Sequence, residues 1–439
     1  MTEQINIFGY WFLPNKADEK KSGNLRFAPN SNIELEIFGM FGNLLLGPDR
    51  YPIILGETNE GPITLIDIWY RRRNDKHSKY QSSFLIKGKH FTRIEDIRFD
   101  SCIVDLFGLN FFIKTKHLDF KEIDSVRNWK IQYKAHDVIS FDVADTFKGS
   151  IKFEGIPSFT NSSEAKIKEN IYVKFDYSSR IDFKEILIDA GKFRGFISLI
   201  NDEVSFPTKI YFRDSDGDKN LEIIHKNIFY QGQTKKWFQP IISFDELENF
   251  QELIQNWYRE YSEIEHVFNL RLYHYKDKNF FSIDRFIDMS RVLESFHRLR
   301  RKNERVSSDD YKEFLKKIEE VELDSTFKRL LNDRLNYGNE PTFKTRLEEL
   351  FSELPGSIML LIDEDNKFAK VVKDTRNYYT HYGDELKDKI PSISELVSIT
   401  DNLESMISFI LLKEMGVNKE LLATNFSNRG LFKKWKHST

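Results

Sequence analysis

The sequence predicts an α+β protein of more than one domain: an antiparallel, β-rich, sandwich- or barrel-like N-terminal half followed by an all-helical bundle. Three observations predict it. Short aromatic and β-branched runs punctuated by Gly, Asn, Asp and Pro fill residues 1 to about 235. The apolar period becomes helical after Pro240. Finally, 439 residues are too many for one ordinary core. Core material is ample, with 40% hydrophobic residues including 39 Phe, whereas 31% charged residues and 11 prolines argue against long disorder.

The strand runs come in order as INIFGYWFLP, GNLRFAP, IELEIFGMFG, ITLIDIWYR, SSFLIKGKHF and SCIVDLF. IELEIFG (33–39) alternates apolar and polar side chains, as a strand with one wet face does. NIYVKFDYS (170–178) and SFPTKIYFRD (205–214) continue the pattern. Between them one helix is predicted at 183–200, where Phe183, Ile186, Leu187, Ala190, Phe193 and Phe196 or Ile197 share a stripe.

Past Gly232 and Pro240 the Pro/Gly punctuation thins. Helices are predicted near 244–270, 282–302, 308–320, 325–337, 341–354, 364–382 and 392–415. Ser282 is an N-cap candidate ahead of the stripe Ile283, Phe286, Ile287, Ser290, Leu293 and Phe296. The 364 helix carries Phe368, Val371, Val372, Thr375, Tyr379 and Tyr382 on one face, with Gly383 placed as its left-handed terminator. The domains follow as 1–235 (β-rich), 241–424 (helical) and a basic tail at 425–439.

Net charge is −3, from 66 Lys+Arg and 69 Asp+Glu. Residues 241–439 hold 31 basic and 36 acidic residues (net −5), leaving 66 − 31 = 35 and 69 − 36 = 33 for the front (net +2). Any nucleic-acid contact therefore rests on local patches. Cys102 is the single cysteine, which excludes an intrachain disulfide and a cysteine zinc site and suits a reducing cytosol. No signal peptide is read in the first residues, and no apolar run approaches the ~20 residues of a membrane span. A cytoplasmic protein with no membrane partner is expected.

The segment Arg376-Asn377-Tyr378-Tyr379-Thr380-His381 is the candidate for chemistry. A fixed guanidinium binds phosphate and stabilises the charge that builds in a phosphodiester transition state. An imidazole can take the proton of a ribose 2′-OH or return one to the leaving 5′-oxygen. RNA supplies its own nucleophile, so this chemistry requires no cofactor, no metal and no nucleophilic side chain. Five residues at about 100° each set Arg376 and His381 roughly 140° apart on a straight helix. They share a face only if the helix ends or bends between them, and Gly383 is read as that end. A simple C-cap role for a last-turn Arg or His remains the rival reading. Arg…His pairs at similar spacing recur at Arg72…His77 and Arg291…His297, so spacing alone is a weak signal.

The stretch RNYYTH resembles the R-polar-x-x-x-H signature of HEPN ribonucleases. RVLESFHRLRR (291–301) is similar to the upstream helix of such domains, where Glu294 would face the motif. Gly9-Tyr10-Trp11, Gly23-Asn24-Leu25, IELEIFG (33–39) and FRGFISLINDEVSF (193–206) resemble, in that order, the N-terminal domain of ApeA-like proteins, in which a β-rich module precedes an ApeA-type HEPN domain. The resemblance spans nearly the whole chain. It implies an anti-phage, abortive-infection endoribonuclease that cuts RNA, often tRNA, without metal. It also implies a homodimer paired through the helical domains, so that two RNxxxH segments form one site, and a phage-derived trigger for the β-rich half. By carry-over Arg376 and His381 are catalytic, Asn377 orients the histidine or binds phosphate, and Glu294 supports the arginine. Glu294 could equally pair with Arg291 or Arg298 at helical spacing. Some HEPN domains have lost activity, so a non-catalytic RNA- or ligand-binding or dimerisation protein is the alternative, its β-rich half holding a ligand or phage protein and its helical half only dimerising.

Other features carry both a functional and a structural reading. His297 is a second proton-transfer candidate or a satisfied buried histidine. Arg71-Arg72-Arg73 could touch RNA or lie in a solvated turn. Arg298, Arg301 and Lys302, with Arg300, could bind RNA or complement a helix dipole. Lys433 and Lys434, with Trp435 and Lys436, could bind single-stranded RNA by charge and stacking or form a frayed end. The Gly-rich phosphate loop, HExxH and GxSxG motifs do not occur, which removes P-loop NTPases, zincins and α/β hydrolases. A carbohydrate-active β-sandwich would need a carboxylate pair that the sequence does not nominate.

Overall fold

A computed structural model describes residues 4–28, 31–42, 49–72, 76–114, 118–123, 129–144, 147–161, 164–213, 219–225, 238–275, 281–363 and 365–435. Arg73, Gly232 and Lys436, named above, lie outside the described residues. The chain divides into two units, Met1–Tyr258 and Arg259–Thr439.

The first unit opens with six strands: β1 (Ile5–Phe12), β2 (Lys21–Phe27), β3 (Ile33–Phe38), β4 (Arg50–Thr58), β5 (Gly61–Arg72) and β6 (His77–Lys87). Their order is β6-β3-β2-β1-β4-β5, and β5 pairs back onto β6, so six antiparallel strands close into a barrel. The alternation read from IELEIFG is the cause: Ile33, Leu35 and Ile37 point inward to join Ile7, Trp11, Leu25, Phe27 and Leu65 in a buried cluster, while Glu34 and Glu36 face outward. Trp11 has no exposed surface and donates from Nε1 to the Gly23 carbonyl at 3.3 Å. A Cβ on Gly56 would lie 2.4 Å from the Trp11 ring, and one on Gly23 would lie 2.5 Å from the Glu36 carbonyl oxygen. The indole therefore sits inside the barrel because Gly56 is bare, while the bare Gly23 lets β3 approach closely.

β6 then leads into an open sheet. One of its edges pairs with β5, and the other pairs with β3 over His77–Ser82 and with the last strand, β14, over Phe84–His225 to Lys87–Glu222. In chain order the remaining elements are β7 (Arg98–Leu106), α1 (Leu109–Ile113), a separate hairpin β8 (Leu118–Glu122) and β9 (Trp129–Tyr133), then β10 (Ile139–Ala144), β11 (Phe147–Asn161), β12 (Glu164–Asp182), α2 (Phe183–Asn201), β13 (Pro207–Arg213) and β14 (Leu221–His225). The open part runs β10-β11-β12-β7-β13-β14. Helix α2 starts where Asp182 accepts a bond from the Lys184 amide at 2.8 Å. It buries the face read from the sequence, with Phe193 stacked on Phe141 at 5.8 Å and edge-on to Phe175 at 5.7 Å. Cys102 is buried in β7, where burial pushes its thiol pKa up.

Helical texture begins inside this unit, which corrects the expected 235–241 boundary. Helix α3 (Phe250–Tyr275) sends Trp257 Nε1 to the Lys192 carbonyl at 2.9 Å and the Tyr258 hydroxyl to the Asp189 carbonyl at 2.8 Å. Phe250 packs against Phe112, Phe141 and Phe196.

The second unit comprises the rest of α3, then α4 (Ile283–Arg300), α5 (Ser308–Glu319), α6 (Ser325–Leu335), α7 (Phe343–Ser352), α8 (Gly356–Ile362), α9 (Phe368–His381), α10 (Ile393–Glu414) and α11 (Lys419–Asn428). Ser282 caps α4 by accepting from the Arg285 amide at 3.1 Å. Buried charge joins three helices: Glu404 of α10 takes Arg285 of α4 at 2.6 Å and Arg271 of α3 at 3.4 Å. Neither α8 nor α11 is anticipated by the sequence reading. Asn418 caps α11 by accepting from the amides of Glu420 and Leu421, so residues 425–428 belong to a helix, not to a basic tail. Beyond it Trp435 is buried, 5.2 Å edge-on to Phe368, and Asn402 holds the Lys433 backbone on both sides, at 2.6 and 3.0 Å. The segment through Trp435 is docked, and its indole is not available to stack on a base. Among the described residues, no helix is long and apolar enough to cross a membrane.

Candidate functional site

Helices α4, α7 and α9 bring the site together. α9 begins where the Asp363 carboxylate accepts from the amides of Lys367 and Phe368, at 2.7 and 2.9 Å. Its buried face is Phe368, Ala369, Val371, Val372, Asp374 and Thr375. The expected continuation of that face through Tyr382 fails, because Tyr382 is 67% exposed.

The helix runs unbroken to His381, and the left-handed terminator is Tyr382 (φ 51°), not Gly383, which is extended (φ −70°). The turn lets the Tyr382 amide donate to the Tyr378 carbonyl at 2.5 Å. Such a conformation costs a non-glycine residue on the order of 1 kcal/mol. It is offset by packing of Tyr382 on Tyr378 at 5.5 Å and on Tyr379 at 6.4 Å between ring centroids. Burial among these rings raises the Tyr379 phenol pKa. Because nothing breaks the helix between them, Arg376 and His381 keep the roughly 140° offset of a regular α-helix. The expectation of a helix end between them is corrected.

Arg376 is half-buried at 29% side-chain exposure, and its Nη2 donates to Glu294 Oε2 of α4 at 3.1 Å. The guanidinium carbon lies 5.2 Å from the Phe343 ring centroid of α7. One carboxylate and one aromatic face thus fix the group, while its exposed part still meets solvent. His381 is exposed, and neither it nor Asn377 makes a side-chain hydrogen bond with the described residues. The pairing of Glu294 with Arg376 is direct; no bond from Glu294 to Arg291 or Arg298 is formed, since Arg291 pairs with Asp288 and Arg298 with Glu340.

A buried polar chain runs beside this pair. His297 has no exposed surface. Its Nε2 meets Glu349 at 2.5 Å, and Nδ1 lies 3.1 Å from Nη1 of Arg346. A guanidinium can only donate, so Nδ1 accepts and Nε2 carries the proton that goes to Glu349. Burial lowers the His297 pKa against the opposing pull of Glu349. This is the satisfied, buried histidine of the two readings. Arg346, 1% exposed, also donates to Glu340 at 2.9 Å, and burial lowers its pKa. Phe343, Glu340, Arg346 and Glu349 were not singled out from the sequence. The available signal was weak: Phe343 and Arg346 lie three apart on one helix face.

The basic candidates separate by use. Arg301 is taken: its guanidinium binds Glu353 at 2.7 Å and Glu414 at 2.5 Å and covers the Phe296 ring at 5.2 Å. That geometry makes it a clamp between helices, the structural of its two readings, with 23% of its side chain exposed. Arg298 is exposed with one partner, Glu340. Lys302, Lys433 and Lys434 are exposed. Arg71 and Arg72 end β5 instead of lying in a turn, and Arg71 donates to Gln81 at 2.7 Å.

Residues 6–257, more than half of the chain, match the family described as ApeA N-terminal domain 1. Residues 287–421 match Apea-like HEPN, a span that holds both Glu294 and the Arg376–His381 segment. No curated protein and no solved structure matches the chain.

Proposed function

Because the chain belongs to the ApeA N-terminal domain 1 family and carries an Apea-like HEPN domain behind it, we propose that it is a cytoplasmic HEPN-class endoribonuclease of anti-phage defence. The observation that carries this reading is the fixed guanidinium: Arg376, held by Glu294 and Phe343, reaches solvent on the same helix as an exposed, uncommitted imidazole.

The chemistry runs through the RNA 2′-hydroxyl. His381 takes the 2′-OH proton, the 2′-oxygen bonds to phosphorus, and the 5′-oxygen leaves after protonation by a second imidazole. Arg376 donates to the phosphoryl oxygens, where negative charge rises in the transition state. Asn377 orients His381 or contacts a phosphate, and Glu294 is a positioning residue for Arg376. The roughly 140° offset along α9 supports a site made from two chains, each lending an Arg376 and a His381 to one phosphate. A homodimer paired through the helical units supplies that second copy. Transfer RNA is the first substrate to test, and the β-rich unit is proposed to answer a phage-derived trigger.

The test is cleavage of labelled RNA by the purified chain in EDTA, with end analysis. The expected products end in 2′,3′-cyclic phosphate and 5′-OH. Loss of these products in Arg376→Ala and in His381→Ala, with unchanged melting, supports the reading. Equal cleavage by both variants overturns it.

A further inference from the structure

We propose that the β-rich unit binds a small amphipathic anion, a flat apolar body bearing an acidic head, in the cavity between α2 and strands β6, β13 and β14. The cavity holds about 370 Å³ and is lined by Phe84 of β6, by Lys184, Leu187, Ile188, Gly191 and Arg194 along one face of α2, by Ile210 of β13 and by His225 of β14. That volume is in the range of small-molecule sites, and apolar walls with a few polar groups are their usual chemistry.

The α2 face shows how the site is built. Lys184, Leu187, Ile188, Gly191 and Arg194 follow one stripe, with a cation at each end and an apolar middle. The ten helical steps from Lys184 to Arg194 span about 15 Å. No acidic side chain lines the cavity, and Lys184 has no ion pair among the described residues, only aromatic rings beneath its ammonium at 5.7 and 6.0 Å. An anion is the complement of that lining.

Gly191 is the second observation. A glycine inside a 19-residue helix weakens it, yet this one answers no packing demand: an added Cβ would meet nothing within 4 Å. Its bareness keeps the middle of the cavity open. The third observation is His225. Its ring stacks on Phe84 at 4.3 Å and 16°, giving a flat aromatic wall. Its Nδ1 is buried with no hydrogen-bond partner among the described residues. A buried polar atom without a partner is rare, and a bound ligand supplies one. Burial keeps the imidazole neutral, its pKa pushed down to about 4, so it can offer a polar contact without adding charge.

The experiment titrates the full chain with two fluorescent probes of nearly one shape: 1-anilinonaphthalene-8-sulfonate, which carries the anion, and uncharged N-phenyl-1-naphthylamine. One saturable site is expected for each. Gly191→Leu fills the open space and is expected to weaken both probes about tenfold or more, while melting at or above the parent temperature. Lys184→Gln is expected to weaken the sulfonate roughly three- to tenfold and to leave the neutral probe within about twofold. Non-saturating emission, or a Gly191→Leu chain that melts like the parent and binds both probes with parental affinity, overturns the proposal. Lys184 is exposed, so its variant decides alone if Gly191→Leu does not fold: unchanged sulfonate affinity then overturns the site.

Discussion

Glu294 of α4 and Arg376 of α9 meet at 3.1 Å while keeping 24% and 29% of their side chains exposed. An ion pair this wet contributes little to folding, on the order of 0.5–1 kcal/mol. Its effect is directional: it sets where the guanidinium points. Glu294→Ala should therefore leave the melting temperature nearly unchanged and lower RNA cleavage about ten- to a hundredfold, as a misplaced phosphate-binding group does. Glu294→Gln, which keeps an acceptor, should retain most activity. A Glu294→Ala chain that cleaves RNA as fast as the parent, alongside an inactive Arg376→Ala, would show that the carboxylate does not position the arginine.

His381 closes the last turn of the same unbroken helix, so a shared site calls for two chains. Each single variant, Arg376→Ala or His381→Ala, should fall by about 100-fold or more. Co-expressing the two, with different tags and tandem purification, should yield a mixed dimer with one intact arginine and one intact histidine at a common phosphate. Partial cleavage by that species is expected. An inert mixed dimer, or cleavage by a chain that sediments as a monomer, would remove the shared site.

Arg301 and the chain-end lysines divide fold from contact. The Arg301 guanidinium bridges Glu353 and Glu414 and stacks on Phe296. Arg301→Ala leaves Glu353 with Lys413 alone and Glu414 with Arg300 alone, and should destabilise the helical unit by about 1–2 kcal/mol. Lys433→Ala with Lys434→Ala should keep stability and weaken RNA binding, with a shallower dependence of affinity on salt. Calorimetry and binding titrations at two salt concentrations separate the outcomes. Parental melting of Arg301→Ala would return it to the list of RNA contacts.

What the sequence carries of this site follows the range over which each signal acts. The period of Phe368, Val371, Val372 and Thr375 is local, and it defines α9. The Ser282 cap is local too, and it starts α4 where expected. Glu294 is legible only through helix order within a family resemblance, because nothing near it in sequence points to Arg376. His297, Arg346 and Glu349 form their chain across 49 and 52 residues, a distance at which no spacing rule operates. Gly383 was a sound terminator by propensity, but tyrosine packing moved the left-handed turn to Tyr382. In the front half, strands were legible from alternation. Their order was not, since β6 shares one edge between β3 and β14.

Trp11 and Gly56 are a coupled pair inside the barrel. The indole is fully buried, and a Cβ on Gly56 would stand 2.4 Å from its ring. Gly56→Ala should cost about 1–3 kcal/mol by overpacking, and Trp11→Ala about 3–5 kcal/mol through the cavity it leaves. The two should not add: with the indole gone, the extra methyl has room, and Gly56→Ala should cost under about 1 kcal/mol. Urea unfolding of the four chains followed by circular dichroism measures the coupling. Additive losses would mean that the two residues do not meet in solution.

His225 sets a pH dependence whose sign can be worked out. Burial pushes its pKa from 6.5 down to about 4. Between those values the unfolded chain binds a proton that the folded chain refuses, so stability rises with pH across the window. The contribution of the neutral imidazole is complete above about pH 6.5 and is lost as pH falls toward about 4, by at most about 3 kcal/mol for this shift. Carboxylates titrate in the same range, so the measurement is a difference. His225→Phe keeps a ring to stack on Phe84 and cannot take a proton. Its unfolding free energy should fall less steeply than the parent's between pH 6.5 and 4, and the two curves should run parallel above pH 7. Parallel curves throughout would mean that the imidazole is hydrated in the folded chain, and the buried Nδ1 would lose its claim to a ligand.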